Sequence, residues 1–318
     1  MALPSGLAAQ VGMKAETTWG TPVTVDRFVP LVSESLTVKV DHLVSEGIIA
    51  GRTIVDTDQV KSGNVEVSGE LAFEAYEQSI GQLLYHALGS VSSTTASAPY
   101  THTITPGDIA NLGLTVQVGK PDTGGTVRPF TYSGCKVDSL NLKVAAGEIA
   151  TLGVGVMART VVTNTSLETA SFATQAATPF TGIQATTTTW GGGALNVRSF
   201  ELSIENHLED RRFLGSAYTS EYKRTARRDV SGSAEVEFES LALFNDFIAL
   251  THNDFIVTMT NGTESLGVTM HARIEEFPVE VKDKGLVVVE VPLVAAGDGS
   301  DADALTIAYT CDDTSVTN

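Results

Sequence analysis

Two cysteines in 318 residues, Cys135 and Cys311, are too few for a disulfide framework or a cysteine-based metal site. Free thiols in a chain assembled inside a cell are the expectation. Six histidines are scattered, none in an HExxH pattern or at metal-ligand spacing with cysteine, so neither metal nor cofactor is expected. His86 reads as a packing residue of a helix. Aromatic residues make up only 7% of the chain, which leaves little to line a sugar-binding cleft. Cations are scarce as well: 20 Lys and Arg stand against 38 Asp and Glu, a net charge of −18. Such a chain cannot neutralise phosphates, which argues against sequence-independent binding to nucleic acid. No run approaches the roughly 18 apolar residues that span a bilayer, so no membrane contact is expected. The first twenty residues lack a basic segment followed by an apolar core, so no secretory signal is expected. The sequons at Asn164 and Asn261 then carry no glycan. Gly191-Gly192-Gly193 is not followed by Lys-Ser/Thr and reads as a hairpin turn, not a phosphate loop. There is no GxSxG, and nothing in the chain predicts an enzyme.

What the chain has is one unit written twice. Residues 65–89 begin with strict alternation, Val65, Val67, Leu71 and Phe73 on one side and Glu66, Glu70 and Glu74 on the other. That is the period of a half-buried strand. The period then lengthens: Tyr76, Ile80, Leu83, Leu84, Ala87 and Leu88 predict a helix of about three turns, with Gly89 as its C-cap. Residues 230–250 repeat the pattern. Ala234, Val236 and Phe238 alternate with Glu235, Glu237 and Glu239, and Ser240 precedes a helix carrying Phe244, Phe247 and Ile248. Val-Ser-Gly occurs in both copies, with Gly69 and Gly232 163 positions apart.

The flanks agree. Residues 35–40 line up with 199–204 at an offset of 164. The series Val137, Leu140, Leu142, Val144 matches Ile274, Phe277, Val279, Val281 at 137. The smaller offset means that copy one carries roughly 25 extra residues, placed in the Ser-, Thr-, Gly- and Pro-rich segment 90–129. The predicted organisation is a first module over residues 1–170, with the insertion at about 90–129, and a second over 171–318. The Thr-rich stretch 160–189 is the linker, with an extended piece around 170–180. Residues 7–19 alternate weakly, as an edge strand or an arm, and residues 305–309 form a last strand.

Each copy holds a long segment without clean periodicity, 42–63 and 207–229, both opening on His-Leu. Connections of that length inside a compact domain usually serve function or contact a partner. The second contains the one strongly basic patch: Arg211, Arg212, Lys223, Arg224, Arg227 and Arg228. A solvated face, nucleic-acid binding and docking on an acidic surface of another copy are all open to it, the last favoured by the chain's net charge. The alternating glutamates read as a solvated strand face in preference to a hydrolase pair.

Three stretches, 6–28, 116–156 and the Val-Ser-Gly strand-helix unit, resemble the tail tube (major tail) proteins of long, flexible-tailed bacteriophages. The resemblance spans nearly the whole chain and rests on the order of its segments. It implies a mainly β fold of two tandem β-sandwich or barrel modules, each with one flanking α-helix. It implies a structural virion protein that partners itself in stacked rings, meets other tail proteins at the tube ends, and passes DNA without specific binding. Location would be the virion tail, after assembly in the host cytoplasm. Glu66, Glu70, Glu74, Glu235, Glu237 and Glu239 would face the channel. Arg52, Asp56 and Asp58 in one loop, with the six cations of the other, would sit in ring-stacking loops. Two modules per chain predict three chains per ring. The competing readings are a two-repeat β-sandwich adhesion protein and a β-sandwich enzyme acting on carbohydrate.

Overall fold

A computed structural model describes residues 5–94, 97–173, 178–281 and 285–317. The fold is mainly β. Its first half runs β1 (Gln10–Ala15), β2 (Thr37–Val44), β3 (Val60–Glu74), α1 (Gly81–Leu88), β4 (Gly89–Thr94), β5 (Tyr100–Pro106), β6 (Leu114–Pro121), β7 (Val127–Ala145) and β8 (Thr151–Ala158). The second half runs β9 (Val197–Glu205), β10 (Leu208–Arg211), β11 (Glu221–Arg224), β12 (Asp229–Glu237), α2 (Ala242–Ala249), β13 (Asn253–Asn261), β14 (Glu264–Ile274), β15 (Val288–Ala295) and β16 (Leu305–Cys311). Shorter strands lie between these.

One antiparallel sheet runs β2-β3-β8-β7-β9-β12-β15. Inward residues alternate along its strands other than the exposed β2, with Val67, Leu71 and Phe73 on β3 and Ala234 and Val236 on β12 fully buried. A second layer, β13-β14-β16-β5-β4, packs its own buried positions behind it. β1 and the first part of β7 flank β6. β7 runs through both this group and the long sheet: a left-handed Gly134 (φ 63°) and a bulge opposite Gly155 and Val156 let it bend from β6 into the long sheet. The apolar core is continuous, from Val11 to Cys311.

Cross-strand registers in the two halves repeat. Val156 faces Gly69 as Leu293 faces Gly232, matching the offsets of 163 and 137 seen in the sequence. One offset is corrected: Val38 faces Val67 as Ile204 faces Val230, so β2 and β9 correspond at 166, two residues from the sequence alignment. A shift of two keeps the same face inward, which is why the pattern alone could not detect it.

The two helices differ in surroundings. α1 is nearly all buried and ends on a left-handed Gly89 (φ 101°), the expected C-cap. It is shorter than its periodicity suggests. Tyr76 lies before the helix and bridges to Pro179, because Ser79 (φ 75°) turns the chain there and Asp313 Oδ2 accepts from its backbone N–H at 2.9 Å. The inserted hairpin β4–β5, which accounts for most of the extra residues of copy one, lies beside α1, and Tyr309 of the tail strand β16 packs on Gly81 at the start of that helix. β6, also inside segment 90–129, belongs to the shared plan, since it pairs with β7 as β13 pairs with β14. α2 has no such cover and no buried residue. Ser240 Oγ accepts from Ala242 N–H at 3.3 Å, one position earlier than a cap of the first turn, which is Leu241.

The described parts of segment 160–189 hold strands that its composition does not predict. Thr160–Val162 pairs with β7, and Ala185–Trp190 pairs with β13 before a two-residue turn at Gly191 and Gly192, both left-handed. Within the extended piece expected at 170–180, residues 174–177 lie outside the described residues. β1 is no edge or arm, being paired with Arg27–Val29 on one side and β6 on the other.

Candidate functional site

The outer face of the long sheet carries the alternating glutamates. Glu66, Glu70 and Glu74 project from β3 between buried Val67, Leu71 and Phe73. Glu235 and Glu237 do the same from β12. Glu239 lies beyond the end of that strand and accepts from Asn196 Nδ2. Sequence reasoning missed three more, Glu201 and Glu205 on β9 and Glu290 on β15. The signal was present in both places: Glu201-Leu202-Ser203-Ile204-Glu205 alternates as strictly as β3, and Glu290 sits between buried Val289 and Val291.

This face is acidic with a few cations set into it. Arg198 pairs with Glu237 at 2.8 Å, Lys39 approaches Glu66 at 3.5 Å, and Lys143 stands opposite Glu201. Glu235 and Glu290 stand directly opposite each other, an arrangement that weakens a ladder. Burial raises the pKa of the Glu205 carboxyl, with nearby Asp138 and Asp229 adding to the effect and His207 opposing it. The eight glutamates named on these strands outnumber the three cations, so the net field of this face is negative.

Both long segments form projecting hairpins. β2 and β3 remain paired out to Val44 and Val60, so the loop proper is 45–59, shorter than the 42–63 expected. At its base Asp56 and Gln59 close a capping box over a short turn, Arg52 meets Asp56 at 3.4 Å, and Asp58 is exposed. Its tip is apolar, with Ile48, Ile54 and Val55 in solvent. The second segment folds as its own two-stranded sheet, β10–β11, tipped by Phe213 and Leu214.

The basic patch is largely used within the chain. Arg211 and Lys223 pair with Glu221, the latter at 3.6 Å. Arg212 pairs with Asp210 and donates to the Ala217 and Val65 carbonyls at 2.9 and 3.1 Å, tying the hairpin to β3. Arg228 donates to Asn206 Oδ1 (2.7 Å) and the Gly107 carbonyl (3.3 Å), and burial lowers its pKa to about 10. Arg224 and Arg227 remain exposed, without an ion pair among the described residues, in an open cleft with Asp301. Buried Lys136 braces the same hairpin from beneath, donating to the carbonyls of Ile109, Ala110 and Tyr222 at 3.1, 2.6 and 3.2 Å. Nothing in the sequence marked it.

Among the described residues there is no cluster that could hold a metal ion, and no helix is long and apolar enough to cross a membrane. Two layers of paired antiparallel sheet with two apolar-tipped hairpins place the chain in the β-sandwich class. A family profile described as phage tail tube protein matches residues 6–311, and the chain belongs to that family. It is thus a structural component of a phage tail that assembles into a tube. No curated protein matches it.

Proposed function

We propose that three chains close into a ring, that rings stack into the tail tube, and that the acidic face of the long sheet lines the channel through which DNA leaves the virion. The observation that carries this reading is the order β2-β3-β8-β7 followed by β9-β12-β15. The second half continues the sheet of the first in the same order, as a neighbouring module would. Each chain then supplies two modules, divided within residues 160–189, and six modules close the barrel. Closure removes the open strand edges that a free sheet would expose.

With the channel side set by the buried alternation, Glu66, Glu70, Glu74, Glu235 and Glu237 face the lumen, joined by Glu201, Glu205 and Glu290. Carboxylates within a Debye length of about 8 Å of the DNA repel its phosphates and keep the polyanion from adhering as it slides. The hairpins at 45–59 and 208–224 reach the adjoining ring. Their apolar tips supply contact area, and Arg224 and Arg227 supply the charge that fixes register. Other tail proteins cap the tube ends, and assembly takes place in the host cytoplasm.

The test is electron microscopy of the purified chain, with and without Glu66→Lys, Glu70→Lys, Glu201→Lys and Glu235→Lys together. Tubes whose lumen retains added DNA only in the charge-reversed variant support the reading. DNA retained equally by both would show that this face is not the channel wall.

A further inference from the structure

β2 and β9 hold equivalent places in the repeat, yet their burial differs sharply. β9 alternates cleanly, and its Ile204 is 0% exposed. On β2 the corresponding Val38 is 42% exposed, and almost every residue of the strand meets solvent. The cause is a missing neighbour. β9 lies between β12 and β7, whereas β2, among the described residues, pairs with β3 alone.

The other end of the chain shows the complementary deficit. Residues 139–145, the second part of β7, are covered on one edge by β8 and on the other by β9. Their described counterparts at the offset of 137, 276–281, continue from β14 without becoming a strand. Leu142 is 1% exposed and its equivalent Val279 is 39%; Val144 is 6% and Val281 is 78%. Glu275 N–H still reaches the Pro292 carbonyl at 2.9 Å, so the segment already starts along β15.

We propose that the free edge of β2 in one copy of this chain pairs antiparallel with residues 275–281 of the next copy, in the register of the internal β9–β7 junction. This rests on the ring reading and specifies its joint. Ile204 faces Leu140 within the chain, so Val38 faces Phe277 of the next copy. Asn206 N–H donates to the Asp138 carbonyl at 2.7 Å, so Val40 N–H donates to Glu275 O.

Three independent details fit that register. First, Ser35 N–H bonds to Glu70 O on β3, so the alternate residues Val38 and Val40 turn their backbone groups to the open edge. Second, Pro278 falls opposite Thr37, at a position that makes no bond across the joint, so its missing N–H costs the ladder nothing. Third, Lys39 falls opposite Glu276, an attractive pair on the solvated face.

Paired cysteines test the register. Lys39→Cys with Glu276→Cys places two thiols at a non-hydrogen-bonded pair, about 4.5 Å between Cα atoms, within disulfide reach. Thr37→Cys with Glu276→Cys is the diagonal control, at about 7–8 Å. Both positions of the first pair are exposed, and native Cys135 and Cys311 are buried. After mild oxidation of the assembled polymer, the first pair gives covalently closed rings on a denaturing gel and the control stays monomeric. Polymer in which the two pairs cross-link equally, or neither does, overturns the proposed joint while leaving the ring intact. In-register cross-links that close at six chains leave the joint standing and overturn the three-chain ring. A chain that never polymerises overturns both. Amide hydrogen exchange gives a second reading without substitution: Val38, Val40, Phe277 and Val279 become protected on assembly, and fast exchange at these amides in the polymer contradicts the joint.

Discussion

Replacing Leu84 and Ile248 by alanine, one at a time, measures how differently the two halves use their helices. Leu84 on α1 is 0% exposed and Ile248 on α2 is 66% exposed. Each substitution deletes about three methylene-sized groups, worth about 2.4 kcal/mol of transfer free energy when fully buried. At Leu84 the whole of that is lost. A cavity penalty is added, because β5 and β7 are held by their ladders and cannot collapse onto the gap, so the expected loss is about 3–4 kcal/mol. At Ile248 only about a third of the side chain leaves water, and the loss stays under about 1 kcal/mol. The assay is urea unfolding at a dilution where the chain is monomeric, comparing midpoints at unchanged slope. Equal losses would show that the two helices are buried alike. α2 would then be as much a part of the core as α1, and the role of the β4–β5 hairpin and tail as the cover of α1 would fail.

Three further outcomes follow from the same contacts. His86 is buried on α1, its Nε2 has no partner among the described residues, and burial lowers its pKa to about 3, with the Lys136 charge adding. Because the unfolded histidine takes up its proton near pH 6.5, the stability it confers is full above that pH and is lost as pH falls toward 3. Wild type should lose about 2 kcal/mol more than His86→Leu between pH 7 and pH 5 in urea melts; parallel pH profiles would contradict this. Reversal of Arg224 and Arg227 to Glu should leave the monomer's melting temperature unchanged and shorten tubes measured by electron microscopy, an effect weakened in high salt; unchanged tube length and yield count against the stacking role. Arg228→Glu, by contrast, sets a carboxylate against the Gly107 and Asn206 oxygens and should destabilise the monomer by about 3 kcal/mol or more, read in the same melts.

The strands and their faces were legible because alternation records burial directly. Val67, Leu71 and Phe73 against Glu66, Glu70 and Glu74 could face only one way, and Gly89 marked the helix end by its freedom at positive φ. The register of β2 escaped, since a slip of two residues leaves the pattern intact. Tyr76 kept helical spacing by coincidence, and only Asp313, more than two hundred residues away, explains why the chain turns at Ser79 instead. The Thr-rich strand Ala185–Trp190 had no contrast between its faces to reveal it. The basic patch shows the plainest limit. Six cations near one another in sequence say nothing of their partners, and Arg212 and Arg228 each reach a backbone carbonyl of the first half, Val65 and Gly107. What the sequence understated in the same loops were the apolar tips, Ile48 and Ile54 on one and Phe213 and Leu214 on the other. Glu201, Glu205 and Glu290 were readable by the same alternation as their neighbours.

The number of chains per ring decides whether each chain supplies two of six modules. Native mass measurement of single rings, or the rotational symmetry of the tube in cryo-electron microscopy, should give three copies of the 33.5 kDa chain, with threefold symmetry and six similar modules around an acidic wall. A ring of six chains, or a channel wall dominated by lysine and arginine, would contradict the account.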